Sequence, residues 1–295
     1  MPKIMSDTIG AKILIVFVFI LNSSVSILKA QKTEELPDTY LFDQNDEFDK
    51  IFDLVSNYQF LYTSLNYSNK TYFAGRDLGI DQFNVAPQIF YLNSNGLMVG
   101  VSGAIYNGLI PKWNTTELSI GYSHNLGKVN NLTYRTSYGR YFFSKNDSVT
   151  PSFNNSIGLG FSYRNHSFGT RIDGALLFGK ETSVQVTGEA YYEISLLKLG
   201  KYDKLYLKPE VSVYFGNEET LLLKNLGLRN RQVLYYGIAY GWMNTELSLP
   251  LMVSYKNFDL EAGYNLNFPR ALGQNSSLKR VSTFNLSIGY IISLN

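Results

Sequence analysis

Leu247-Ser248-Leu249-Pro250-Leu251-Met252-Val253-Ser254-Tyr255, followed across Asn257 by Phe258-Asp259-Leu260-Glu261-Ala262-Gly263-Tyr264-Asn265-Leu266, places an apolar residue at every second position. A period of two sends alternate side chains to opposite faces of a strand, so each run has one apolar and one polar face. Phe284, Leu286, Ile288, Tyr290 and Ile292 repeat the pattern against Asn285, Ser287 and Gly289. Working backwards from there, the alternation predicts twelve strands, at 57–68, 82–93, 97–108, 115–126, 131–143, 154–165, 167–179, 184–198, 203–217, 243–256, 258–268 and 280–293. Each is long enough to cross a bilayer at a tilt, which takes about 9 to 11 residues.

Composition agrees with strands of two unlike faces. The 295 residues are 45% hydrophobic, 15% aromatic and only 17% charged, with no Cys and two His. Absent cysteine excludes disulfide frameworks, thiol nucleophiles and Cys-containing zinc or iron–sulfur sites, and two histidines leave little for other metal chemistry. No cofactor or metal site is expected, and no basic patch of the kind that binds nucleic acid is present.

The connections alternate short and long. The short set is 94–96, 127–130, 166, 199–202 and 257, and the long set is 69–81, 109–114, 144–153, 180–183, 218–242 and 269–279. Short turns on one side and longer loops on the other, with an even strand count, fit an up-and-down transmembrane barrel. Charge obeys the same sorting. Glu117, Arg135, Arg164, Arg171, Asp173, Glu189, Glu193, Lys208, Glu210, Glu246, Asp259 and Glu261 all fall on polar faces. A β-sandwich, whose apolar faces meet each other, would sort its charges likewise. Strand length favours the barrel, since soluble strands usually run five or six residues. Tyr62, Tyr91, Tyr106, Phe142, Tyr255, Phe268 and Tyr290 are expected in aromatic girdles at the strand ends.

The N-terminal region reads differently. Lys3 and Lys12 precede an apolar run from Ile13 to Leu21, too short to span a bilayer but suited to a secretory signal, with cleavage expected after Ala30. Removing residues 1–30 takes Lys3, Lys12, Lys29 and Asp7 from totals of 26 basic and 24 acidic residues, which leaves the remainder neutral. Residues 31–56 then carry Glu34, Glu35, Asp38, Asp43, Asp46, Glu47, Asp49 and Asp53 against Lys32 and Lys50. Within them Phe48, Ile51, Phe52 and Val55 have the spacing of one helical face. The segment reads either as a short amphipathic helix that plugs the barrel from the periplasmic side or as a solvated linker. If it is a plug, deleting 31–56 raises conductance. The barrel itself is assigned to 57–295.

The last residues, Ser287-Ile288-Gly289-Tyr290-Ile291-Ile292-Ser293-Leu294, resemble the C-terminal insertion signal of bacterial outer-membrane proteins, with Ser287, Gly289, Ile292 and Leu294 at the defining places. The usual terminal aromatic residue is missing, since Asn295 ends the chain. With the export signal and the twelve-strand pattern, the chain is similar to uncharacterised porin-like outer-membrane barrels of Gram-negative bacteria. The resemblance implies residence among outer-membrane lipids after signal-dependent export, with periplasmic chaperones and the barrel-insertion machinery as partners.

For the lumen, Arg135, Arg164 and Arg171 form an expected basic wall, and Glu246, Asp259 and Glu261, with Glu193, an acidic one. Opposed walls suit a passive channel for small polar solutes, because a transverse field orients them. Neighbouring-strand pairs such as Lys208 with Glu193, or Arg171 with Glu193, offer instead a closed lumen and a structural or adhesive barrel. Residues 218–242, rich in Leu and Tyr, read as a loop folded over or into the mouth, or as an extra hairpin making fourteen strands. A lipid hydrolase is the further alternative; it needs His124 or His166 beside a serine, while Ser123 and Ser167, merely adjacent in sequence, point to opposite strand faces. Gly158-Leu159-Gly160 lacks a following helix, so its glycines are read as relieving crowding inside the barrel.

Overall fold

The computed structural model describes residues 59–73, 76–77, 82–93, 95–108, 113–126, 131–144, 152–199, 203–226, 231–273 and 278–294. The signal segment and the acidic segment with Phe48, Ile51, Phe52 and Val55 lie outside the described residues.

The strands are β1 (Gln59–Ser68), β2 (Tyr72–Phe73), β3 (Arg76–Asp77), β4 (Asn84–Asn93), β5 (Leu97–Tyr106), β6 (Trp113–Leu126), β7 (Leu132–Phe143), β8 (Phe153–Asn165), β9 (Phe168–Gly179), β10 (Thr182–Tyr192), β11 (Ile194–Lys198), β12 (Lys204–Leu207), β13 (Glu210–Leu226), β14 (Arg231–Ser248), β15 (Leu251–Tyr255), β16 (Phe258–Pro269) and β17 (Val281–Ser293). Twelve of them, β1, β4 to β10, β13, β14, β16 and β17, pair antiparallel in a ring that closes between β17 and β1. β2 and β3 form a separate small hairpin.

β11, β12 and β15 lie outside the ring. They nevertheless keep the registers of β10, β13 and β14: Tyr191↔Glu210 continues as Ile194↔Leu207, and Glu210↔Ser248 as Leu207↔Leu251. The interruptions coincide with Pro209 and Pro250, which have no N–H to donate to the ladder. Only their carbonyls serve it, accepting from Tyr192 at 3.1 Å and Lys208 at 3.0 Å.

Followed around the ring, the registers return to β1 offset by about 16 residues, a stagger that tilts twelve strands by about 40°. Twelve residues at that tilt rise about 30 Å, the thickness of a bilayer's hydrocarbon core.

The residues 218–242 overturn an expectation. Their described residues, 218–226 and 231–242, add no strands; they lengthen β13 and β14 to 17 and 18 residues, in register through Leu221↔Tyr236 to Leu226↔Arg231. The ring therefore has twelve strands and not fourteen. The Leu and Tyr that looked too apolar for a loop are strand formers, and cross-strand pairing satisfies the backbone. Loop alternation also fails at one place, since β9 and β10 are joined only by Lys180-Glu181.

The exterior is apolar and the interior polar. Ile120 is 50% exposed, Leu159 52% and Ile172 60%, whereas Arg171 is 4% and Asp173 3% exposed. A sandwich would reverse this, and the inversion is what a membrane-spanning barrel requires. Aromatic side chains project outward near both ends, with Tyr163, Phe168, Tyr192, Phe258 and Tyr290 at one and Trp113, Phe142 and Trp242 at the other. Tyr62 and Tyr106 depart from the expected girdle, at 0% and 1% exposure. They sit on the inward face, because β1 and β5 carry large side chains on both faces. Inside, Phe60, Tyr62, Phe90 and Leu92 pack as a cluster with Met98 and Ile291 beside the β4–β5 turn.

Candidate functional site

The lumen has two unlike walls. Along β7 to β13 many inward side chains are charged; Arg135, Arg171, Asp173, Glu189, Glu193 and Lys208 are buried, while Arg164, Lys204 and Glu210 are partly exposed. Arg135 Nη2 meets Asp173 Oδ1 at 3.1 Å, Arg171 Nε meets Asp173 Oδ2 at 2.8 Å, and Arg171 Nη2 donates to Glu189. Lys208 Nζ lies 3.1 Å from Glu210, and its charge sits 4.2 Å from the centre of the Tyr191 ring. Glu193 accepts from both Arg164 at 3.3 Å and Lys204 at 2.8 Å. Charges this deep are tolerated because each is paired and hydrogen-bonded.

The local reason for the first pair is a glycine. Arg135 on β7 and Asp173 on β9 are two strands apart, and both face Gly160 on the intervening β8, through the pairings Arg135↔Gly160 and Gly160↔Asp173. A Cβ at Gly160 would run into Asp173 Oδ1 and stand 3.3 Å from Arg135 Nη2. We expect Gly160→Ala to cost about 1–3 kcal/mol by overpacking, read as a lower urea midpoint for the refolded barrel. An unchanged midpoint would show that the pair tolerates displacement.

The wall formed by β14, β16, β17 and β1 is different. Glu246, Ser248, Asp259, Glu261, Asn265, Asn285, Ser287 and Asn66 are all partly exposed. Amides and hydroxyls there are joined in short bonds: Ser287 Oγ donates to Asn66 at 2.6 Å, Asn285 Nδ2 to Glu261 at 2.8 Å, and Ser248 Oγ to Asn265 at 2.7 Å. Near its end Asn244 and Asn267, 0% and 1% exposed, share a bond of 2.7 Å.

The expected basic wall is thus interleaved with its own carboxylates. Arg135 and Arg171 are joined through Asp173, and Arg164 is drawn to Glu193, which belongs to this wall and not to the opposite one. Glu246, Asp259 and Glu261 do share the other wall. Periodicity placed Asp173 and Glu189 on the polar face without assigning them to the arginines, and it did not single out Lys204; the signal for Asp173 was a glycine on the strand between two opposite charges.

The insertion-signal residues lie on and just after β17, the strand that closes the ring. Gly289 passes against the buried Tyr62 ring, Ile292 and Leu294 face outward, and the Leu294 N–H donates to Gln59 at 2.9 Å. The histidines stand apart from the lumen walls. His124 faces outward between the rings of Tyr122 and Tyr134, at 6.2 and 6.1 Å, while Ser123 faces inward. His166 occupies a tight turn with φ 53°, its Nδ1 2.6 Å from Asn165 Oδ1.

No protein-family profile matches the chain, and no curated protein does. Among solved structures, it is similar to the KdgM porin at 10% identity and TM-score 0.47, over 78% of this chain and 98% of that one. An outer-membrane channel from Pseudomonas putida matches at 10% identity and TM-score 0.47, over 81% and 97%. The translocator domain of the autotransporter NalP from Neisseria meningitidis matches at 12% identity and TM-score 0.40, over 84% and 95%.

Proposed function

We propose that the protein is an outer-membrane barrel that works as a porin-like passive channel for small polar solutes. Residues 1–30 direct export, periplasmic chaperones and the insertion machinery receive the chain, and β17 carries the insertion signal. One observation supports the channel above all: the partly exposed polar wall along β14, β16, β17 and β1, which offers water and solutes hydrogen-bonding groups from Asp259 to Glu246.

A closed, structural or adhesive barrel is favoured by a different observation, the buried ion pairs along β7 to β13. Twelve strands lie between the side-chain-filled eight and the water-filled sixteen, so strand number does not choose. Planar-bilayer recording does. Stepwise conductance from purified, heat-modifiable barrel is expected; a correctly folded barrel that gives no steps would make the closed reading the right one.

A further inference from the structure

The outward face of a membrane barrel rejects charge along its middle, so a cation that stands on it needs a reason. Arg140 shares its face of β7 with Tyr138 and Phe142, 41% and 49% exposed, and its guanidinium carbon lies 5.9 Å from the centre of the Phe142 ring. Arg280, exposed and just ahead of β17, lies 5.2 Å over the Phe268 ring. Arg270, exposed and just past β16, lies 4.7 Å over the Trp242 ring. All three stand at one end of the barrel. β7 runs into the connection 144–152, and β16 is joined to β17 through 270–280, so this is the end of the long connections and not the end where Leu294 meets Gln59.

Register seats these arginines. Arg140 stands opposite Asn155, whose Oδ1 accepts from Arg140 Nη1 and from the Tyr138 hydroxyl, each at 2.8 Å. Asn267↔Val281 ends the pairing of β16 with β17 and brings Arg280 beside Phe268. A ring beneath a guanidinium steadies its plane and leaves N–H groups for a second partner. Among the described residues Arg140 and Arg280 meet no carboxylate, whereas Arg135, Arg164 and Arg171 in the lumen each stand against one. The opposite end seats a cation of another kind, Lys256 at 5.2 Å from the centre of the Tyr255 ring, a point charge without the guanidinium's fork.

We propose that this arginine–aromatic belt binds the phosphate groups of the lipids around the loop end, with Arg140 and Arg280 each presenting paired N–H groups to two phosphate oxygens. Arg270 stands beside Arg280 and widens that part of the belt. The occupant is a membrane lipid and not free phosphate, because the rings that seat the arginines, Phe142, Phe268 and Trp242, continue the apolar outer face that acyl chains cover. The proposal rests on the outer-membrane reading above and not on the channel.

The test is a titration of the purified, folded barrel in uncharged detergent with a bisphosphorylated glycolipid, lipid A, and with the same lipid stripped of its phosphates, followed by native mass spectrometry. The phosphorylated form is expected to bind about tenfold more tightly. Arg140→Gln and Arg280→Gln should each weaken its binding about fivefold, and the two together more, while Lys256→Gln at the other end leaves it unchanged. Heat-modifiable migration checks the folding of every variant; should the double variant fail to fold, the single variants and the comparison of the two lipids decide. Equal affinity for the two lipids overturns the proposal and leaves the barrel standing. So does wild-type affinity in the folded arginine variants, or an equal loss in Lys256→Gln. Displacement of the lipid by equimolar inorganic phosphate overturns the lipid assignment in favour of the free anion. Boiled and unboiled protein migrating alike would overturn the barrel reading, and the proposal with it.

Discussion

Arg171→Leu is expected to destabilise the barrel by about 3–5 kcal/mol, the cost of breaking a buried pair by removing one partner. Arg171 is 4% exposed and holds two carboxylates at once, Asp173 and Glu189, which are themselves 3% and 8% exposed. Without the guanidinium, Asp173 retains Arg135 as an ion partner, and Glu189 must keep its charge in a site that water barely reaches. The measurement is urea unfolding of the refolded protein, followed by tryptophan fluorescence from Trp113 and Trp242. Adding Asp173→Asn and Glu189→Gln to the same chain should recover much of the loss, because replacing all members of a buried network costs less than orphaning some. A single-variant loss below about 1 kcal/mol would mean that these charges are solvated as a surface pair is.

Leu159→Arg carries the second large effect and concerns the opposite face. Leu159 is 52% exposed and midway along Phe153–Asn165, paired with Thr136 and Gly174. On a soluble protein an exposed leucine is replaced at little cost, within about 0.5 kcal/mol. On a barrel in a bilayer an arginine at mid-depth costs about 2–4 kcal/mol, falling to 0–1 near the interface. Tyr163→Arg, four residues along the same outward face and near the strand end, supplies the comparison. Folding in lipid vesicles should therefore weaken steeply for Leu159→Arg and little for Tyr163→Arg. Equal, small effects at both positions would mean that this face meets water.

Much of the architecture was legible because a strand's period is two and a barrel repeats it twelve times. From Leu247 to Ile292 the alternation alone sorted inward from outward residues. It failed where both faces of a strand carry large side chains. Tyr62 was grouped with the girdle, although Phe60 and Tyr62 share the inward face with Ser64 and Asn66 while Leu61 and Leu65 face out. It failed again at Glu218 to Trp242, where leucines and tyrosines were read as a lid; in a two-stranded extension they only lengthen the ladder.

The lumen was less legible, for a physical reason. Which residues face inward is local information, carried by each strand's own pattern. Which of them meet is not, because contact around a barrel depends on register and stagger summed over several strands. Arg135 and Asp173 are 38 residues apart and meet across Gly160, a contact created by two registers and a missing side chain. By itself the sequence determined strands of two unlike faces, their number, and the inward placement of the charges. Only the tertiary structure decided that β13 and β14 extend as one hairpin and that the lumen's arginines are neutralised by their neighbours. Those outcomes follow from how the ring closes, and closure joins β1 to β17 across almost the whole length of the chain.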